Sequence, residues 1–241
     1  MPLPKISTPT YELELPSTGK TIKYRPFLVK EEKILILALE SEDTKQITTA
    51  IKQVLKDCIL TRGIKIEELP TFDIEYIFLN VRGKSIGEAI ELIITCSDDG
   101  TTEVPVKIYV DEIQVQKDPE HKQEIRLDDS LVLKMKYPSL DQFIKNNFDF
   151  TNNELSSIDK SFDIIASCID MVYSAEETWA AAYCTKKELN DWIETFNSNQ
   201  FKEIEKFFNT MPKLAHTFKV KNPNTGIESE VTLEGLTSFF G

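Results

Sequence analysis

Two segments carry the residue types of a phosphate loop. Pro16-Ser-Thr-Gly-Lys20-Thr21 offers a glycine, a lysine and hydroxyls that could surround an anion. It lacks the first glycine of G-x-x-x-x-G-K-[ST], and an alternating, strand-like stretch follows it. No helix N-terminus would therefore aim its amides at a phosphate. Arg82-Gly-Lys-Ser-Ile-Gly87 has a similar content but closes a helical stretch. A helix C-terminus presents carbonyls, so a glycine C-cap is the better reading.

Paired carboxylates are the next candidates, since two acids about 5–9 Å apart perform glycoside hydrolysis. Asp98 and Asp99 fall in a turn, and Glu31 and Glu32 open a helix, where the positive dipole end favours them. Both pairs have sufficient structural roles. Asp98 and Asp99 could hold a weak cation, but no EF-hand ligand pattern surrounds them. His121 and His216 are isolated, no G-x-S-x-G occurs, and His216 reads as a packing or surface residue before a strand. Cys58, Cys96, Cys168 and Cys184 stand far apart without a C-x-x-C pair. They read as free, largely buried thiols, and no zinc signature or other cofactor site is expected.

The elements that would position such residues come from pattern. The 241 residues, 41% hydrophobic and with 14 Phe, suffice for a packed core. A net charge of −12 argues against a general nucleic-acid surface. Much of the acid lies in the C-terminal half, as a solvated helical surface or a face for a basic partner. No signal-peptide core follows the N-terminus and no apolar run approaches the roughly 18 residues of a membrane span, so a soluble protein made in a cytoplasm is expected.

Residues 1–10, with prolines at positions 2, 4 and 9, predict an extended arm that gains order only against a neighbour. Tyr11–Leu15 and Thr21–Arg25 predict a hairpin around Pro16–Lys20. Lys30–Glu40 predicts a helix. Its run Ile34–Leu39 is apolar without interruption, so protein should surround it. A second helix from about Thr44 buries Ile47, Ala50, Ile51, Val54, Leu55, Cys58 and Ile59. A third, near Thr71–Arg82, places Ile74, Ile77, Phe78 and Val81 on one face.

Glu88–Cys96 and Glu103–Val115 predict a second hairpin about Ser97–Gly100, and Ile125–Leu127 and Leu131–Tyr137 add strands. Ser139-x-x-Gln142 and Thr185-x-x-Glu188 are capping boxes. Leu155, Ile158, Phe162, Ile165, Ile169 and Val172 predict one helix of about 20 residues. Leu189, Trp192, Ile193 and Phe196 predict another, and Phe201–Met211 a last one stopped by Pro212. His216–Val220 and Glu228–Leu233 form a third hairpin around Asn222–Gly226. The expected class is α+β: an N-terminal hairpin and helices, a central antiparallel sheet, and a C-terminal helical region closed by a short hairpin. The expected divisions are the arm 1–10, an α+β domain 11–137 and a mainly helical region 138–241.

Four places in this order resemble the baseplate protein family of T4-like contractile-tailed phages, whose members are named baseplate hub subunit or hub assembly protein. They are Leu15–Lys20 with Tyr24–Lys33, Ala38–Ser41, Asp73–Leu79 running into Arg82–Glu88, and Val231–Phe240. The chain is most similar to the marine cyanophage members. The resemblance implies a non-enzymatic role in building, or remaining within, the central hub of the tail baseplate. Its partners would be other hub and tail proteins, with a homo-oligomer within a symmetric assembly as a further possibility, and no nucleic acid or membrane. Its location would be the host cytoplasm during assembly and then the virion tail baseplate.

The resemblance also implies cysteine-bearing metal knuckles at the two turns of some relatives. Here Cys96-Ser-Asp-Asp keeps one cysteine and Asn222-Pro-Asn-Thr keeps none, so turn residues should do the structural work. Candidate contact residues are Leu3 and Ile6 in the arm, Arg25 and Phe27 in Tyr24–Glu32, and Leu236, Phe239 and Phe240 in the tail. For Arg25 the alternative is an ion pair with Glu31 or Glu32. The competing functions are a tail-associated cell-wall hydrolase and a hub assembly chaperone absent from the mature virion.

Overall fold

The computed structural model describes residues 6–140, 142, 144, 157–235 and 238. Strands β1 (Tyr11–Glu14) and β2 (Thr21–Tyr24) form the expected hairpin, with Leu13 opposite Ile22. Helices α1 (Val29–Glu40), α2 (Thr44–Cys58) and α3 (Thr71–Ile86) follow. Asp43 caps α2 by accepting from the Lys45 amide at 2.8 Å, satisfying a donor the helix leaves orphaned. The apolar face read for α2 is buried from Ile47 to Cys58. Helix α3 is enclosed on most sides, with Phe72, Ile74, Ile77, Leu79 and Val81 all buried.

Helix α3 runs through Gly83 instead of ending there. An added Cβ at Gly83 would lie 3.0 Å from Val110 Cγ2, so glycine permits a close helix approach. The terminating glycine is Gly87, at φ 149°.

Strands β3 (Ala89–Thr95) and β4 (Glu103–Tyr109) pair in a second hairpin. The continuous strand expected to Val115 breaks at a 3₁₀ turn, Val110–Glu112. The chain then joins another sheet as β5 (Gln114–Gln116), beside β10 (Lys213–Lys221) and β11 (Glu228–Glu234). A further sheet has the order β6 (Glu124–Arg126), β7 (Val132–Met135), β8 (Ile169–Tyr173), β9 (Thr178–Ala180).

The 20-residue helix expected to reach Val172 is corrected by β8. Helix α4 (Ser157–Ser167) stops, and Ile169–Tyr173 pairs with β7 in the middle of the sheet. Spacing of 3 and 4 carried the helical reading past its end, whereas the residues Ile-Asp-Met-Val-Tyr suit a strand between two partners. Leu155 lies outside the described residues. Helices α5 (Lys186–Ile193) and α6 (Ser198–Thr210) complete the α+β order.

The Thr185 capping box forms as read, and the Gln142 half of the Ser139 box forms. The Glu188 amide donates to Thr185 Oγ1 at 3.2 Å, while Glu188 Oε2 accepts from the Thr185 amide at 2.7 Å. Gln142 likewise accepts from the Ser139 amide at 2.9 Å.

Buried apolar side chains gather in two clusters. The first joins the N-terminal hairpin, α1–α3, the β3–β4 hairpin, Leu140, Ile144 and Leu214. The second joins Ile125, Leu133, Met135, Ile165, Ile169, Ile193, Ile204 and Phe207. The β10–β11 hairpin thus contributes to the first cluster although it closes the chain. The edge-on contact of Phe72 with Tyr137, 5.0 Å between centroids, sets a buried ring of α3 against one packed on the second cluster.

Candidate interaction surface

The segment between the first hairpin and α1 is fixed by a buried ion pair. Arg25 Nη2 donates to Glu31 Oε1 at 2.7 Å, and Arg25 Nη1 donates to the Pro26 carbonyl at 3.0 Å. Glu31 is wholly buried and also accepts from the Leu28 amide at 2.8 Å through Oε2. Leucine has no side-chain acceptor, so only the Glu31 half of a capping box closes this helix start. Lys30 Nζ adds a contact at 3.2 Å. Burial alone would raise the Glu31 pKa, but Arg25, the Leu28 amide and Lys30 together bring it down to about 2. Arg25 therefore occupies the structural pairing weighed as its alternative role.

Inward contacts use only part of α1. Glu31 and Ala38 are buried and Leu35 packs on the first core. Val29 is 80% exposed, Leu37 55%, Ile36 49% and Leu39 41%. Of the protein expected to surround this helix, the chain itself supplies one side. A run of six apolar residues at 100° per residue must point in all directions, and the fold packs only one side of it.

Phe27 is partly buried on the first core, 5.7 Å from the Phe78 ring, and its amide donates to Ser85 Oγ at 2.7 Å. Ile6 is 92% exposed. Leu3, Leu236, Phe239 and Phe240 lie outside the described residues. The structure therefore brings Arg25 and Phe27 together at the start of α1, while Ile6 stands apart in solvent. The outward α1 side chains were missed as contact residues. The signal was their unbroken hydrophobicity, which one packed face could not absorb.

The segments suspected of chemistry are committed to folding. In the Pro16–Lys20 turn, the Ser17 amide donates to Asp73 Oδ1 at 3.0 Å and the Ser17 hydroxyl to Asp73 Oδ2. The donors a phosphate would need are thus given to α3. Ser85 of the second glycine-lysine segment donates to the Val81 carbonyl.

Asp98 and Asp99 face the opposite hairpin turn. Asn222 Nδ2 donates to Asp98 Oδ1 at 3.0 Å and Asp99 Oδ2 at 2.9 Å, and the Thr225 hydroxyl donates to Asp98 Oδ2. Turn residues thus tie the two hairpins together. Thr225 and then Asn222 lower the Asp98 pKa; the Thr102 hydroxyl and amide and the Thr101 amide lower that of Asp99, with Asn222 adding to them.

His216 Nδ1 lies 3.1 Å from the Glu112 carbonyl and its ring stacks on Phe218. His121 packs against Tyr137 and Phe207, and burial lowers its pKa. Three cysteines are buried and Cys184 is exposed, all of them free. An open cavity of about 670 Å³ lies between α4 and α6; of its described lining residues Glu205 alone carries a carboxylate. Among the described residues no group of three or more His, Cys, Asp or Glu is placed to hold a metal. Among them, too, no helix is long and apolar enough to cross a membrane.

The family model for T4 bacteriophage base plate proteins matches residues 8–241. The chain belongs to that family. The match takes in both hairpin turns, the buried Arg25–Glu31 pair and the uncovered helix. No curated protein and no solved structure matches this baseplate-family chain.

Proposed function

We propose that this protein is a non-enzymatic structural or assembly component of the baseplate hub of a contractile-tailed phage. It works through contacts with other hub and tail proteins, in the host cytoplasm during assembly and in the tail baseplate thereafter. The observation that carries this reading is the family match over residues 8–241, nearly the whole chain. A packed scaffold that leaves apolar helix surface uncovered supports it, because such surface marks association sites. The arm before Tyr11 and the Phe239-Phe240 tail are further contact candidates, and copies of the chain take symmetry-related places in the assembly.

Quantitative mass spectrometry of purified virions and of tail-assembly intermediates tests the reading. A retained component is present in both, whereas an assembly chaperone is present in the intermediates alone. Absence from both would overturn the proposal. A zymogram on peptidoglycan should show no clearing by the purified protein; clearing would favour the cell-wall hydrolase.

A further inference from the structure

We propose that the outward face of α1 is the docking surface for another baseplate subunit. That subunit would lay an apolar ridge along Val29, Ile36 and Leu37 and set Lys or Arg side chains against Glu40 and Glu42. The inference rests on the baseplate reading and specifies the surface that reading needs.

Val29, Ile36 and Leu37 recur at i, i+7 and i+8, so they share one stripe of the helix, with Leu39 beside Ile36. All four are among the exposed large hydrophobic side chains. Charged side chains flank the stripe. Glu32, Glu40 and Glu42 are exposed, and none makes an ion pair or side-chain hydrogen bond among the described residues. Lys33 lies within the stripe and would suit a single acid on the partner. The last turn of α1 contains no basic residue, although the helix dipole there is negative.

Glu42 adds a carboxylate just beyond, at φ 51°, a left-handed conformation that suits glycine better. Negative charge is thus concentrated at the C-terminal end of an apolar stripe. The complementary surface is apolar with a basic end. A second copy suits this face less well, because each copy brings a net charge of −12.

The test uses the full chain and the baseplate hub proteins encoded by the same phage, each purified separately, with affinity measured at two salt concentrations. The wild type should bind one of them. Ile36→Asp with Leu37→Asp should weaken that binding at least about tenfold, as truncating an interface anchor does. Glu40→Lys should also weaken it and flatten its salt dependence. That change should not lower the melting temperature, because lysine suits a helix C-terminus.

If the double variant unfolds, Glu40→Lys and Val29→Asp carry the test, since both positions are exposed. Binding unchanged in the folded variants would overturn the docking face. So would a wild-type homodimer dissolved by the double variant, or an α1 whose hydrogen exchange rises when residues 1–10 are removed. Failure of the wild type to bind any hub protein would instead count against the baseplate-hub reading itself.

Discussion

Arg25 and Glu31 form a nearly enclosed ion pair, 2.7 Å between Nη2 and Oε1, that joins the first hairpin to the first helix. The specificity of this segment therefore serves folding on its inner side. Its outer side, free of that duty, is available to a partner.

Arg25→Ala should destabilise the isolated chain by about 3 kcal/mol, because it leaves a buried carboxylate with Lys30 alone as counter-charge among the described residues. Chemical denaturation measures this. Glu31 has a folded pKa of about 2 against an ordinary value of 4.5. Its contribution is complete above about pH 4.5 and is lost as pH falls through about 2. Arg25→Ala should flatten the pH dependence of stability in that window. An unchanged profile would show that Arg25 does not hold the carboxylate ionised.

Much of this arrangement was legible in sequence. Asp-Gly and Thr-Gly turns, the Thr185 capping box and the clean periodicity of Ile47–Cys58 are local signals, and each formed where its chemistry required. The joining of Gln114–Gln116 to Lys213–Ala215 was not legible, because pairing across about a hundred residues leaves no local pattern. Nor was the switch from helix to strand at Cys168, where Ile165, Ile169 and Val172 satisfy a helical spacing equally well. The outward face of α1 was visible as hydrophobicity, but hydrophobicity alone does not say which chain covers it.

Asn222→Ala should cost about 1–3 kcal/mol, since a buried amide that bridges two turns is lost. Asn222→Asp should cost more at neutral pH by setting a third carboxylate beside Asp98 and Asp99. Its folded pKa would be raised, so the penalty should shrink as pH falls and that group binds a proton. Thermal melts of both variants between pH 7 and pH 4 check the sign. A penalty for the aspartate that grows on acidification would refute the hydrogen-bonded tie.

Gly83→Ala should destabilise by about 1–2 kcal/mol despite alanine's better helix propensity, because its Cβ meets Val110. In a Val110→Ala background the same change should be neutral or stabilising by up to about 1 kcal/mol. A double-mutant cycle reads this coupling directly, and additive effects would mean the contact is relieved elsewhere.

One thiol per native chain should react rapidly with a soluble disulfide reagent, and it should be Cys184, the exposed cysteine. Burial pushes Cys58 up to about 12 and Cys168 to about 11, and withholds both from the reagent. Cys184→Ser should abolish the fast phase, and three more thiols should appear in denaturant. A second fast thiol in the native chain would show that one of the buried sites opens.

Docking through α1 is tested by a photo-cross-linkable residue at position 37, introduced into the full chain during tail assembly, with the linked peptides sequenced by mass spectrometry. A cross-link to another baseplate protein is expected, within an apolar segment adjoining Lys or Arg. Cross-links confined to this chain or to its own copies, or none while assembly proceeds normally, would contradict it.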